Sequence, residues 1–182
     1  FGVGNQLYGL KIVKHHLIEL FEPGEMVALL SHKKTGQGEI GLMREVASDL
    51  EDTMLDFRER YGAGRAIASP QIGVRKRLVY MNAGEPVVLL NPVMTERSPE
   101  MIEVWDDCMS FPDLLVRVKR HRSITVSYRD LEWNEREIEA DDDLAELLQH
   151  EIDHLDGVLA VMRAIDGRSF LARSERWRVK GV

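Results

Sequence analysis

Cysteine is almost absent from this chain of 182 residues: Cys108 stands alone, so no intramolecular disulfide can form. A lone thiol fits a reducing, intracellular compartment, and the cytoplasm is the simplest expectation. A basic excess is missing too. The formal net charge is -7, from 24 Lys and Arg against 31 Asp and Glu. That balance argues against a general nucleic-acid binder, which usually carries a basic face. No uninterrupted apolar run approaches the ~18 residues that a bilayer-spanning helix needs, so no membrane partner is expected. Internal repeats, low-complexity tracts and dividing linkers are likewise lacking. What remains is 44% hydrophobic and 30% charged, ordinary values for a globular protein. The length fits one domain over residues 1–182, with a substantial core. The first residue is Phe1 rather than methionine, which leaves a removed leader, and so an organelle, open.

Residues 1–39 carry little pattern. VKHHLIELFEPG suits a short strand or helix ended by Pro23-Gly24, and SHKKTGQGE over 31–39 suits an exposed loop. His15, His16 and His32 have no partner at metal-ligand spacing and are read as surface or packing residues. The next stretch is clearer. Ile40, Met43, Val46, Leu50, Met54, Phe57 and Tyr61 follow one another at steps of 3, 3, 4, 4, 3 and 4. This is the single apolar stripe of an amphipathic helix. Glu45, Asp49, Glu51, Asp52 and Arg58 are expected to face away, and Gly62 and Gly64 to end the helix.

Four short runs rich in Val, Leu, Ile and Tyr then read as strands: RLVYMN (77–82), PVVLLNP (86–92), LLVRVKR (114–120) and SITVSYRD (123–130). A second helix is expected from about Asp141 to Leu155. Asp141, Asp142 and Asp143 serve there as caps for its free N–H groups rather than as a metal cluster. Leu144, Leu147, Leu148 and Ile152 form its apolar side, with Gly157 just past its end. The order helix, strands, helix predicts an α+β fold with antiparallel pairing. A tail covers 166–182; its arginines in RSFLARSERWRVK suit a solvated helix face.

The second helix carries QHEIDHLDG (149–157). His150 and His154 are four residues apart, so on a helix their rings point the same way, roughly 5–6 Å apart at Cβ. Two imidazoles so placed can grip one divalent cation, and Glu151 can reach a water on it without binding it. A catalytic site of this kind usually adds a third protein ligand. The HExxHxxGxxH pattern is closed, because its last position is Ala160. Two candidates arise on the residues alone: Glu175, in the charged stretch RSERWR near the chain end, and the better one, Cys108, in WDDCMSFPD with the polar neighbours of a functional turn. Asp106 and Asp107 would raise the pKa of a free thiol, which argues against a cysteine nucleophile. A bound cation would hold the thiolate regardless.

GRAIASPQ (64–71), DDCMS (106–110) and QHEIDHLDG (149–157), in that order, resemble the three motifs of the peptide deformylases, GxGxAAPQ, EGCLS and QHExDHLxG. The likeness extends over roughly residues 40–165. It implies antiparallel strands packed around a central helix bearing the two histidines. It also implies removal of the N-formyl group from formylmethionine at the start of new polypeptides. By motif position, Cys108, His150 and His154 match the metal ligands and Glu151 the general acid/base. Gln71 and the backbone N–H of Met109 match the donors to the formyl oxygen. Gly64, Arg65 and Ala66 belong to the substrate cleft, and Val104 with Leu147 is expected to line an apolar pocket or simply the core. The resemblance implies Fe(II), replaceable by zinc, nickel or cobalt. It also extends the partners from formylated peptide N-termini to the ribosome, through the basic tail.

The motifs depart from the family at Arg65, Ala66, Ser69, Asp106 and Asp107, but not at a ligand or the base. Ala66 is expected to narrow the cleft or to demand a different backbone conformation, because it replaces a glycine. Two other readings remain: a deformylase-like hydrolase acting on another formylated or acylated amine, or a non-catalytic metal-binding homologue.

Overall fold

The computed structural model describes residues 33–179; the readings made of VKHHLIELFEPG, His15, His16 and His32 lie outside them. The apolar stripe forms α1, Ile40–Tyr61. Met43, Leu50 and Met54 are fully buried, and Val46 and Phe57 nearly so. The helix stops at Gly62, which is left-handed at φ 66 and donates its N–H to the Arg58 carbonyl at 2.9 Å, a cap that a Cβ would disfavour. Two residues assigned to the wet face turn back to the fold. Glu51 accepts from the Tyr80 hydroxyl at 2.6 Å, and Arg58 donates to the carbonyls of Gly64 at 2.9 Å and Asn82 at 3.1 Å.

Among the described residues the strands are β1 Ala66–Ala68, β2 Leu78–Asn82, β3 Pro86–Arg97, β4 Met101–Asp107, β5 Leu114–His121, β6 Ser123–Arg129, β7 Glu135–Asp141 and β8 Phe170–Ala172. Helix α2, Asp142–Leu155, comes between β7 and β8. One sheet has the order β1-β2-β3-β6-β7, the other β4-β5-β8, and each strand pair is antiparallel. The fold is α+β. The four apolar runs became β2, β3, β5 and β6. β4 and β7 escaped because both are edge strands, where charge protects unpaired backbone groups and dilutes the apolar signature. β1 and β8 are only three residues each.

Alternation along β1 and β2 explains why RLVYMN reads as nearly continuous apolar sequence. Ala66, Ala68, Val79 and Met81 pack with Leu147, Leu148, Ile152 and Leu155 of α2. Ile67, Leu78 and Tyr80 pack with Met43, Leu50 and Met54 of α1. Both faces of this part of the sheet are covered, so both parities must be apolar. Helix α2 also packs on β5 of the smaller sheet.

The aspartates at the start of α2 do not cap it by hydrogen bonding. Asp141 takes the cap position with no side-chain bond to the helix backbone. Asp143 pairs with Arg65, and Asp142 lies 3.5 Å from Arg122. Two of the three carboxylates thus go to arginines; their charge still suits the positive helix end. No helix among the described residues is long and apolar enough to cross a membrane.

Candidate metal centre

Cys108 leaves the end of β4 in a tight turn whose Phe111 N–H returns to the Cys108 carbonyl at 2.9 Å. The turn delivers the sulfur to the face of α2. Cys108 Sγ lies 3.3 Å from His154 Nε2, which lies 3.0 Å from His150 Nε2. All three ligand atoms fall within 4.8 Å of one another, and all three residues are buried. Bonds of ~2.0–2.3 Å from one tetrahedral cation would put such atoms about 3.3–3.6 Å apart. Glu151 is buried beside them, and its Oε2 has no hydrogen-bond partner. A soft thiolate, two imidazoles and an unpartnered carboxylate oxygen fit a divalent cation that carries a water. This is the donor set of a mononuclear metal hydrolase.

Charge is set by the neighbours. Burial pushes the Cys108 thiol up, but the His154 and His150 rings outweigh it and leave the thiol well below its ordinary range. Burial disfavours a charged His150, yet Asp106 and Cys108 hold its pKa well above the usual value. Burial also lifts Glu151 to about 6, against the pull of the two rings, close to where a general base works best.

A chain of ion pairs stands behind the histidines. His150 Nδ1 meets Asp106 Oδ1 at 2.7 Å, which leaves Nε2 to face the thiol. Arg120 donates to Asp106 at 2.7 Å and to Asp153 at 2.5 Å. Arg163 donates twice to Asp153, at 3.0 and 2.6 Å. Gln149 ties α2 to β5 through both the N–H and the carbonyl of His121, each at 2.9 Å. Arg120, only 3% exposed, holds two buried carboxylates. Arg120→Met is therefore expected to destabilise the fold by about 3–5 kcal/mol, read as a lowered denaturant midpoint; an unchanged midpoint would remove this assignment.

The cleft in front of the triad encloses about 320 Å³. Gly64, Arg65, Ala66, Leu147, Gln71 and Met109 all line it, together with His150 and Glu151. Gln71 accepts from the Ala68 N–H at 2.9 Å and donates to Ser110 Oγ at 3.2 Å, which leaves one of its two N–H donors unspent. Leu147 serves both cleft and core. Ala66 has an ordinary strand backbone, pairs in β1 with Met81 of β2, and lines the cleft. At Gly64, φ is 116 and a Cβ would come 3.3 Å from Phe57. Ser69 gives its hydroxyl to the Lys76 carbonyl at 2.6 Å.

One expectation is corrected and one alternative is closed. Val104 is not at the cleft; it packs against Val116, Val118 and Ala160. It precedes Asp106 by two residues in β4, roughly 6.8 Å along the strand, and stops short of the site. Glu175 is not at the centre either; it lies in the 3-10 turn Arg173–Arg178 and pairs with Arg178. Sequence reasoning missed Arg120, Asp153, Arg163 and Glu146. Asp153 did leave a signal: it follows His150 by three residues, so it shares the buried face of α2, where an unpaired carboxylate is costly.

Comparison with known proteins agrees with this architecture. The profile of the family described as polypeptide deformylase matches residues 28–169. A peptide deformylase of Thermoanaerobacter pseudethanolicus is 42% identical over 120 residues, 65% of this chain and 73% of the relative. That of Rhizobium meliloti is 41% identical over 125 residues, 65% and 69% of the two chains. Among solved structures, a class I type b peptide deformylase from Acinetobacter baumannii superposes with a TM-score of 0.72 at 29% identity, covering 81% of this chain and 99% of that one. The actinonin complex of the Synechococcus elongatus enzyme gives 0.68 at 29% identity, covering 76% and 75%. The chain belongs to the polypeptide deformylase family.

Proposed function

We infer that this protein is a metal-dependent hydrolase that removes the N-formyl group from the formylmethionine end of new polypeptides. The observation that carries the reading is the meeting of Cys108, His150 and His154 beside the unpartnered Glu151 at the head of a cleft. These three residues would hold the cation, Fe(II) in the cell, with zinc, nickel or cobalt able to replace it. When bound, it supplies a Lewis acid and an acidified water.

The chain's own groups do the rest. Glu151 takes the proton of the attacking water and later gives it to the leaving amine. The spare Gln71 N–H and the Met109 backbone N–H receive the charge that builds on the formyl oxygen, each such donor commonly worth ~2.7–4 kcal/mol. Asp106 fixes the His150 tautomer, and the thiolate tempers the Lewis acidity that a third imidazole would leave higher. Residues 1–182 act as a single catalytic domain built around α2, in the cytoplasm. The arginines near the C-terminus are the natural contact if the enzyme works at the ribosome.

The test is direct. Protein purified with ferrous iron under anaerobic conditions is expected to carry one divalent cation per chain and to release formate from a formyl-methionyl peptide. Loaded protein that leaves the peptide intact would sink the reading.

A further inference from the structure

The ion pairs behind the metal centre do not end inside the protein. They run from His150 to Asp106, from Asp106 to Arg120 and from Arg120 to Asp153, and the last link is Arg163. Asp106, Arg120 and Asp153 are buried, whereas the side chain of Arg163 is 47% exposed. Arg163 ends the 3-10 turn Ala160–Arg163, beyond α2, and its guanidinium spans both oxygens of Asp153. An ion pair so open to water contributes little to stability.

Its charge has more to do. Asp106, Arg120 and Asp153 together leave one negative charge in excess, and buried charge is poorly screened. Arg163 cancels that excess. Asp106 faces His150 Nδ1, and a carboxylate in that place raises the basicity of the ring nitrogen that meets the cation. Asp153 is next in the chain to His154, the second imidazole ligand. We propose that Arg163 is a positioning residue for the metal centre, acting through Asp153, Arg120 and Asp106 to set how firmly the imidazoles hold the cation and how much Lewis acidity is left for the reaction. The proposal rests on the metal-dependent deformylase reading above and deepens it. Without Arg163 the excess negative charge falls on the ligands, so the cation is held more tightly and is a weaker Lewis acid. An arginine that merely braces the fold predicts the opposite, a loosened α2 and a weaker grip.

The experiment measures Co(II) affinity by competition with a chromophoric chelator, beside kcat/KM of the loaded proteins on a formyl-methionyl peptide, for wild type, Arg163→Gln and Arg163→Lys. Glutamine keeps a hydrogen-bond donor without the charge; lysine keeps the charge without the fork. Arg163→Gln is expected to hold Co(II) about three- to tenfold more tightly and to turn the peptide over more slowly by a similar factor, with Arg163→Lys within about twofold of wild type in both. Arg163→Met serves if the glutamine variant does not fold. A weaker or unchanged grip in the neutral variant, or equal effects of glutamine and lysine, overturns this proposal alone. Wild type that takes up no cation overturns the metal centre, and this proposal with it. Wild type that binds Co(II) but leaves the peptide intact overturns the deformylase reading, and the affinities alone then decide for Arg163.

Discussion

Glu151→Gln is expected to lower kcat/KM on a formyl-methionyl peptide by about 10²–10⁴-fold while the bound metal stays at the wild-type level. The substitution keeps the shape of a fully enclosed side chain and adds no bulk. Glu151 is not one of the three converging donors, so the cation's grip is untouched. What disappears is proton transfer in both directions. The carboxyl group is lifted to about 6 by burial, so near neutral pH it is free to accept a proton and still acidic enough to return one; an amide does neither. Steady-state rates read beside metal analysis separate the outcomes. Activity within about threefold of wild type would remove Glu151 from the proton-transfer role, because positioned acid–base groups contribute far more than that.

The second large effect is at the thiol. Cys108→Ser is expected to lose the cation on dialysis and with it nearly all activity, whereas Glu175→Ala keeps both. Serine is close in size, so the turn after β4 is preserved, but its hydroxyl stays protonated where the Cys108 thiol is driven towards its thiolate by His154 and His150. Loss of a group that merely orients a ligand typically weakens metal binding by about 10–100-fold, and loss of a direct ligand exceeds this. Metal content and formate release, measured on both variants, decide it. A serine variant that retains its metal would return the third position to another residue.

Much of this was legible beforehand, for reasons that differ from element to element. Helix α1 was bounded by a stripe and a glycine, both local signals. β2 and β5 showed in their branched side chains because they are paired on both sides. The pair of histidines was visible because four residues make a helical turn. Cys108 was less so: it lies 46 residues from His154, so only its polar neighbours favoured it over Glu175 until the order of three motifs singled it out. Arg120 gave no signal, since nothing local in LLVRVKR shows that β5 turns this residue towards Asp106 and Asp153. Val104 was misplaced for the same reason, because its distance from the cleft depends on where the strand ends.

The sulfur arrives from the three-stranded sheet, while both imidazoles ride on a helix laid across the five-stranded one; the two sheets are bonded to each other where β3 passes into β4 and β5 into β6, by the Ser98 N–H to the Ser123 carbonyl and the Arg122 N–H to the Glu100 carbonyl, each at 2.9 Å. A cation held by all three would be a rivet as well as a reagent, fastening the two sheets at a second point away from that shared ribbon. The glycine-rich rim, with Arg65 and Ala66, belongs to the five-stranded half alone. Substitutions at those positions would reshape the cleft without loosening the rivet.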